Sequence, residues 1–158
     1  MYCPTRSIIA TVAIAALLSS CSKRDPVIHV EKDDPEMNAA IAKGRETLPK
    51  FWQVFRDHPK GESDFALKVK ITDEKGTEYF WAIDIAQRDG ETLGTINNDP
   101  EIVKSVKLGD RIAIPEKDIS DWMYMRDEKI VGNYTLRPLL KKMPKDEAER
   151  LKNMLAEP

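Results

Sequence analysis

Between Phe65 and Thr72 the chain alternates: Phe65, Leu67, Val69 and Ile71 are apolar, whereas Lys68, Lys70 and Thr72 stand between them. A period of two marks a strand with one buried face and is incompatible with a helix, whose apolar residues return every three or four positions. Asp73-Glu74-Lys75-Gly76 supplies a turn into Glu78–Ile85, which is apolar on both faces and therefore central in its sheet. Arg88-Asp89-Gly90-Glu91 turns again into Thr92–Asn97. Three consecutive strands joined by short turns make an antiparallel meander, and the rest of the chain must pack on it.

Ahead of the meander, Asp34-Pro35 reads as an N-cap with proline at the first helical position. Met37, Ala40, Ile41, Gly44 and Leu48 then recur at helical spacing. Pro49 disfavours helical geometry at Leu48, so the spacing predicts a kink or a restart capped by Thr47, with Phe51, Trp52 and Phe55 on the core side until His58-Pro59-Lys60-Gly61. After Asn97-Asn98-Asp99-Pro100 come a short amphipathic stretch (Ile102, Val103, Val106) and a strand ending at Pro115. Asp118–Met125 and Ile130–Tyr134 read as a second hairpin around Arg126–Lys129. Thr135 can cap Leu136–Lys142, and Pro144 opens a last helix with Ala148, Leu151, Met154 and Leu155 on one face. The order predicts an α+β fold: an N-terminal helix, an antiparallel sheet of about six strands (meander plus second hairpin) and C-terminal helices, forming one domain over 34–158. With 41% hydrophobic residues in a 158-residue chain, a single sizeable core is expected. The near balance of 25 Lys and Arg against 27 Asp and Glu leaves no electrostatic footprint for a nucleic-acid backbone, and nucleic acid is not an expected partner.

Residues 1–20 read as a signal peptide. Arg6 supplies an early cation and Ser7–Leu18 an uncharged run too short for a hydrocarbon core that needs roughly 20 residues. Leu18-Ser19-Ser20-Cys21 resembles the bacterial lipobox, in which the cysteine is acylated and becomes the new N-terminus; the alternative is a plain secretory signal that ends near a cysteine. Cleavage would remove Cys3 and leave Cys21 as the one cysteine, its sulfur carrying lipid, so no disulfide, thiolate nucleophile or cysteine metal site is expected. Residues 21–33 read as a flexible tether reaching roughly 20 Å, which places the domain close to the bilayer. By resemblance to the sorting rule of Gram-negative lipoproteins, Ser22 after the cysteine points to the periplasmic face of the outer membrane. The membrane, through this lipid, is thus an expected partner. The oligomeric state is not legible.

Catalytic signals are sparse. His29 and His58 have no companions at ligand spacing, so neither a metal site nor a Ser-His-Asp triad is expected. Neither phosphate-binding glycine motif occurs, and no cofactor is implied. Asp84 interrupts an apolar strand and must be paired, hydrogen-bonded or turned to water. With Asn97, Asn98, Asp99 and Asp121 it makes up the candidate polar site, for which backbone capping is the plain alternative. Trp122, Tyr124, Asn133, Tyr134 and Arg137 make up the candidate binding surface, because Trp, Tyr and Arg dominate binding hot spots; core packing is the alternative role for each aromatic.

The stretches Asp34–Lys43, Gly61–Val69, Gly94–Pro100, Ile119–Tyr124 and Gly132–Pro138 together resemble the YegJ-like family of small bacterial proteins built on a domain of unknown function. The resemblance implies a single compact domain, sometimes lipid-anchored, and carries no assigned activity or catalytic residues. Related domains have been suggested as immunity proteins against bacterial toxins. The leading expectation is therefore a lipid-anchored, non-enzymatic envelope module that binds an envelope protein. Its alternatives are a periplasmic immunity protein and a hydrolase using Asp84, Asp99 or Asp121 with Tyr134 or Arg137. The hydrolase alternative requires at least two of those side chains to converge in one cleft.

Overall fold

The computed structural model describes residues 34–157. The signal segment 1–20, the acylation site Cys21, the tether 21–33 and His29 lie outside the described residues.

Helix α1 (Pro35–Asp57) starts as its sequence dictates. The Asp34 carboxylate accepts from the backbone N–H groups of Glu36 (2.9 Å) and Met37 (3.1 Å), and Pro35 occupies the first turn. Contrary to the expected break, α1 continues through Pro49 for 23 residues, and Thr47 caps nothing. Side chains bind the carbonyls of the turn before the proline: the Thr47 hydroxyl reaches Lys43 O (2.8 Å), and the Trp122 indole N–H reaches Gly44 O (3.0 Å). Burial of Leu48, Phe51 and Trp52 on either side of the proline then holds one continuous rod, as tertiary packing overrides local preference. His58, in the left-handed region at φ 42°, ends it.

The six strands are β1 (Glu62–Asp73), β2 (Gly76–Arg88), β3 (Glu91–Ile96), β4 (Arg111–Ala113), β5 (Ile119–Arg126) and β6 (Lys129–Gly132). They form one antiparallel sheet in the order β4-β3-β2-β1-β5-β6, with β2 in the interior as its two apolar faces require. Two-residue turns close β2–β3 (Asp89-Gly90) and β5–β6 (Asp127-Glu128), all four residues at positive φ, which matches the twist of hairpins. The chain leaves β4 at one edge and reaches β5 beside β1 through residues 114–118, with Ile114 buried in the core on the way.

That core lies between α1 and the sheet: Leu48, Phe51 and Trp52 meet Phe65, Leu67, Val69, Ala82, Ile119, Trp122 and Tyr124. A second cluster of Phe80, Ile96 and Val103 extends it under the loop 97–110. The amphipathic stretch in that loop is not helical, because carboxylates take its N–H groups. Glu78 accepts from Glu101, Ile102 and Val103, and Asp73 from Lys104 and Ser105. These donors hold the Asp73 carboxyl below its ordinary value.

After β6 come α2 (Leu136–Leu140) and α3 (Lys145–Met154). The C-terminal residues then return along β6: Leu155 forms a parallel bridge with Ile130, Ala156 N–H donates to Ile130 O (2.8 Å), and Lys129 Nζ donates to Asn153 O (2.5 Å).

Gly44 marks the closest approach of α1 to the sheet. A Cβ there would stand 2.9 Å from Ser120 O and 3.0 Å from an Asp121 carboxylate oxygen. In an open helix Gly→Ala gains about 1 kcal/mol. Here Gly44→Ala is expected to lose about 1–3 kcal/mol by overpacking. A urea midpoint at or above that of the wild type would show that the helix can step away.

Candidate functional site

The register puts Trp81 of β2, Lys68 of β1 and Asp121 of β5 side by side on three neighbouring strands. Asp121 is fully buried. One carboxylate oxygen accepts from Trp122 N–H (2.8 Å), the other from Thr135 N–H (2.7 Å) and the Thr135 hydroxyl (2.8 Å). That hydroxyl in turn accepts from Lys68 Nζ at 3.0 Å, and Lys68 lies 5.5 Å from the Trp81 ring centroid. The expected cap on α2 is therefore absent: Thr135 makes no side-chain capping bond, because its hydroxyl bridges the lysine and the acid. Burial pushes the Asp121 carboxyl up against the pull of Thr135, Trp122 and Lys68. Burial likewise holds the Lys68 amine below its ordinary value, with Asp121 pulling it back.

A folded-state lysine depressed below its unfolded value of 10.5 binds fewer protons than the unfolded chain does. Stability therefore rises with pH across the window below 10.5. The raised acid has the opposite sign: its contribution falls as pH climbs above 3.8. As pH rises toward 10.5, the urea midpoint of the wild type is expected to gain on that of Lys68→Met. Parallel profiles for the two proteins would mean that Lys68 titrates as a solvated lysine.

The remaining sequence candidates disperse. Trp122 (3% exposed) and Tyr124 (4%) are core residues, not a binding surface. Trp122 stacks on Tyr124 at 5.9 Å and meets Phe51 at 5.6 Å, because the face of β5 that carries them is the one α1 covers. The Tyr124 hydroxyl accepts from Arg126, which also binds the buried Glu62. Asn133 is buried beside Met123 in the left-handed region, φ 48°. Gly132 before it has φ 83°, and a Cβ there would fall 2.6 Å from the Trp122 ring.

Asp84 sits at a β-bulge, where the β2–β3 register shifts between Ile83 and Ala86. The bulge, with φ 50°, turns it to solvent. Asn97 and Asn98 extend the β2 ladder past the end of β3: Asn97 N–H donates to Trp81 O (2.9 Å), and the Asn98 side-chain oxygen accepts from Trp81 N–H (3.0 Å). Asp99 is exposed beside them. Asp84, Asp99 and Asp121 share no hydrogen bond with each other, with Tyr134 or with Arg137, so no carboxylate of that set joins the two.

Tyr134 and Arg137 do come together. The guanidinium lies 6.0 Å from the Tyr134 ring, donates to Ala156 O (3.2 Å) and keeps its buried Nε–H without a partner. With Glu36, Ala40, Pro138 and Lys141 they line an open depression between α1 and α2, where Lys141 pairs with Glu36 at 2.6 Å. Beside it Lys142 pairs with Asp34 at 2.8 Å, which holds the Asp34 carboxyl low. Among the described residues no three His, Cys, Asp or Glu side chains gather to hold a metal ion, and no helix is long and apolar enough to cross a membrane.

Sequence reasoning missed Lys68, Thr135 and Gly44, as well as the loop-binding roles of Asp73 and Glu78. Their partners lie up to 78 positions away, so only the strand order reveals them.

Residues 34–156 match the model of a family described as an uncharacterized protein conserved in bacteria, DUF2314. The chain is 43% identical over 123 residues to the uncharacterized protein YegJ of Escherichia coli K12, covering 78% of this chain and 79% of that one. It is also 29% identical over 130 residues to a putative ankyrin repeat protein of Neisseria meningitidis serogroup B, covering 77% of this chain and 51% of that longer protein. No solved structure matches significantly. The chain belongs to the DUF2314 family of bacterial proteins, of which YegJ is a relative.

Proposed function

We propose that this protein is a lipid-anchored, non-enzymatic module of the cell envelope that binds a protein partner at the depression between α1 and α2. The observation that carries this reading is the Tyr134–Arg137 pair: a tyrosine with an arginine guanidinium 6.0 Å from its ring centroid, set among Ala40 and Pro138 at an open depression. Those are the residue types that dominate interface energetics. The anchor and the envelope location rest on the Leu18–Cys21 motif.

A photo-reactive side chain placed at Lys141 in cells is expected to form one discrete protein adduct, whereas the same probe at Lys107, on the far loop, does not. Arg137→Glu, with an unchanged far-ultraviolet spectrum, is expected to remove the adduct. Equal adducts from both positions, or an adduct indifferent to Arg137→Glu, would exclude the α1–α2 depression as the binding site.

A further inference from the structure

The face of the sheet opposite α1 carries a different chemistry. Register pairs Thr72 with Thr77, Lys70 with Tyr79 and Lys68 with Trp81 on this face, and sets Thr95 between Ile83 and Arg111. Side-chain contacts confirm the shared side: the Thr72 and Thr77 hydroxyls are 2.8 Å apart, Lys68 lies over Trp81, and Arg111 donates to the Thr95 hydroxyl at 3.1 Å. Tyr79 is 41% exposed here, and Trp81, Ile83 and Met123 are half-buried. Lys70 and Arg111 are exposed cations. The acids keep to the margins or below the surface. Asp84 and Glu91 stand toward the β2–β3 turn, and Asp121 is sealed against Thr135.

We infer that this outer face lies on an anionic lipid bilayer. Shape supports the choice of occupant. The sheet curls around the core, so that Ile112 of the edge strand β4 packs on the same cluster as Leu67 and Val69 of β1, and a groove between β1 and β4 opens on that inner side. The outer face is therefore convex and cannot enclose a small ligand, but it can lie against an extended surface. Chemistry supports it as well. Trp and Tyr rings favour the headgroup level of a membrane, Lys and Arg extend their stems over apolar neighbours to reach phosphates, and each such cation near an anionic surface contributes about 1 kcal/mol. The inference rests on the anchored reading only for proximity, since thirteen residues, 21–33, would join an acylated Cys21 to the domain. Partner and membrane then occupy different sides of the sheet.

The test uses the full chain as cells make it, purified in detergent and reconstituted into vesicles carrying brominated lipid. Trp52 and Trp122 are buried, so quenching by bromine reports Trp81. Emission is expected to be quenched in vesicles containing phosphatidylglycerol and to recover in phosphatidylcholine alone. Quenching is expected to disappear in Trp81→Phe, and Lys70→Gln and Arg111→Gln are each expected to weaken it about fivefold. Flotation of the protein with phosphatidylglycerol vesicles while Trp81 stays unquenched would overturn the inference. So would an unquenched Trp81 that is shielded from aqueous acrylamide in complexes isolated from cells, which assigns the face to a protein. Mass analysis of the purified N-terminus reads acylation separately, so an unmodified Cys21 with quenched Trp81 overturns the anchor and leaves the bilayer contact standing.

Discussion

Replacing Asp121 by alanine is expected to lower the unfolding free energy by about 3–5 kcal/mol, read as a drop in urea midpoint at unchanged slope. The carboxylate is fully buried and accepts three hydrogen bonds: from the N–H groups of Trp122 and Thr135 and from the Thr135 hydroxyl. Removing it strands all three donors out of reach of water and leaves the Lys68 ammonium without its counter-charge. Asp121→Asn keeps the size, but turns one acceptor into a donor facing donors, and should fall between wild type and alanine. The pair is not expected to be irreplaceable. Removing both charges at once, with Lys68→Met beside Asp121→Ala, should cost less than the sum of the single changes by about 0.5–3 kcal/mol. An Asp121→Ala loss below about 1 kcal/mol would mean that water enters the network and takes over the bonds.

Trp122→Ala is expected to cost about 3–5 kcal/mol as well, by a different route. The indole joins Phe51, Tyr124 and Tyr134 at ring separations of 5.6–5.9 Å, and its N–H ties β5 to the Gly44 carbonyl in the middle of α1. Alanine opens a cavity in contact with all of them. Trp122→Phe fills most of the space and loses the hydrogen bond, so it should retain more than half of the stability lost by alanine. If alanine and phenylalanine cost the same, the hydrogen bond to α1 outweighs the packing. The Tyr134 ring rests edge-on against this indole, so the alanine variant should also loosen the α1–α2 depression.

Elements with a short repeat were legible in the chain. Alternation located β1, two-sided hydrophobicity made β2 interior, Asp34-Pro35 marked the start of α1, and the two-residue turns closed their hairpins. Features that depend on distant partners were not legible. Pro49 reads as a break until Trp122 supplies a bond to the preceding turn, 78 residues away in sequence. Trp122-Met123-Tyr124-Met125 is apolar on both faces, and no local rule says which face α1 will cover, so two core aromatics looked like a surface. Thr135 has the chemistry of a cap, and only the placement of β5 beside β1 turns it toward Asp121 and Lys68. Of the residues suggested for binding, Tyr134 and Arg137 alone reach an open surface, because the chain leaves the sheet just before them.

The return of Leu155 and Ala156 along β6 bears on how copies of this protein behave when crowded together. A sheet grows into aggregates through strand edges with free N–H and C=O groups. At one end of this sheet the terminal residues occupy the Ile130 edge, and at the other the exposed strand, β4, is three residues long. Cutting the chain after Lys152 would uncover β6 and hand neighbouring molecules a template. Leu155 and Ala156 thus cover backbone groups that β6 would otherwise present at Ile130.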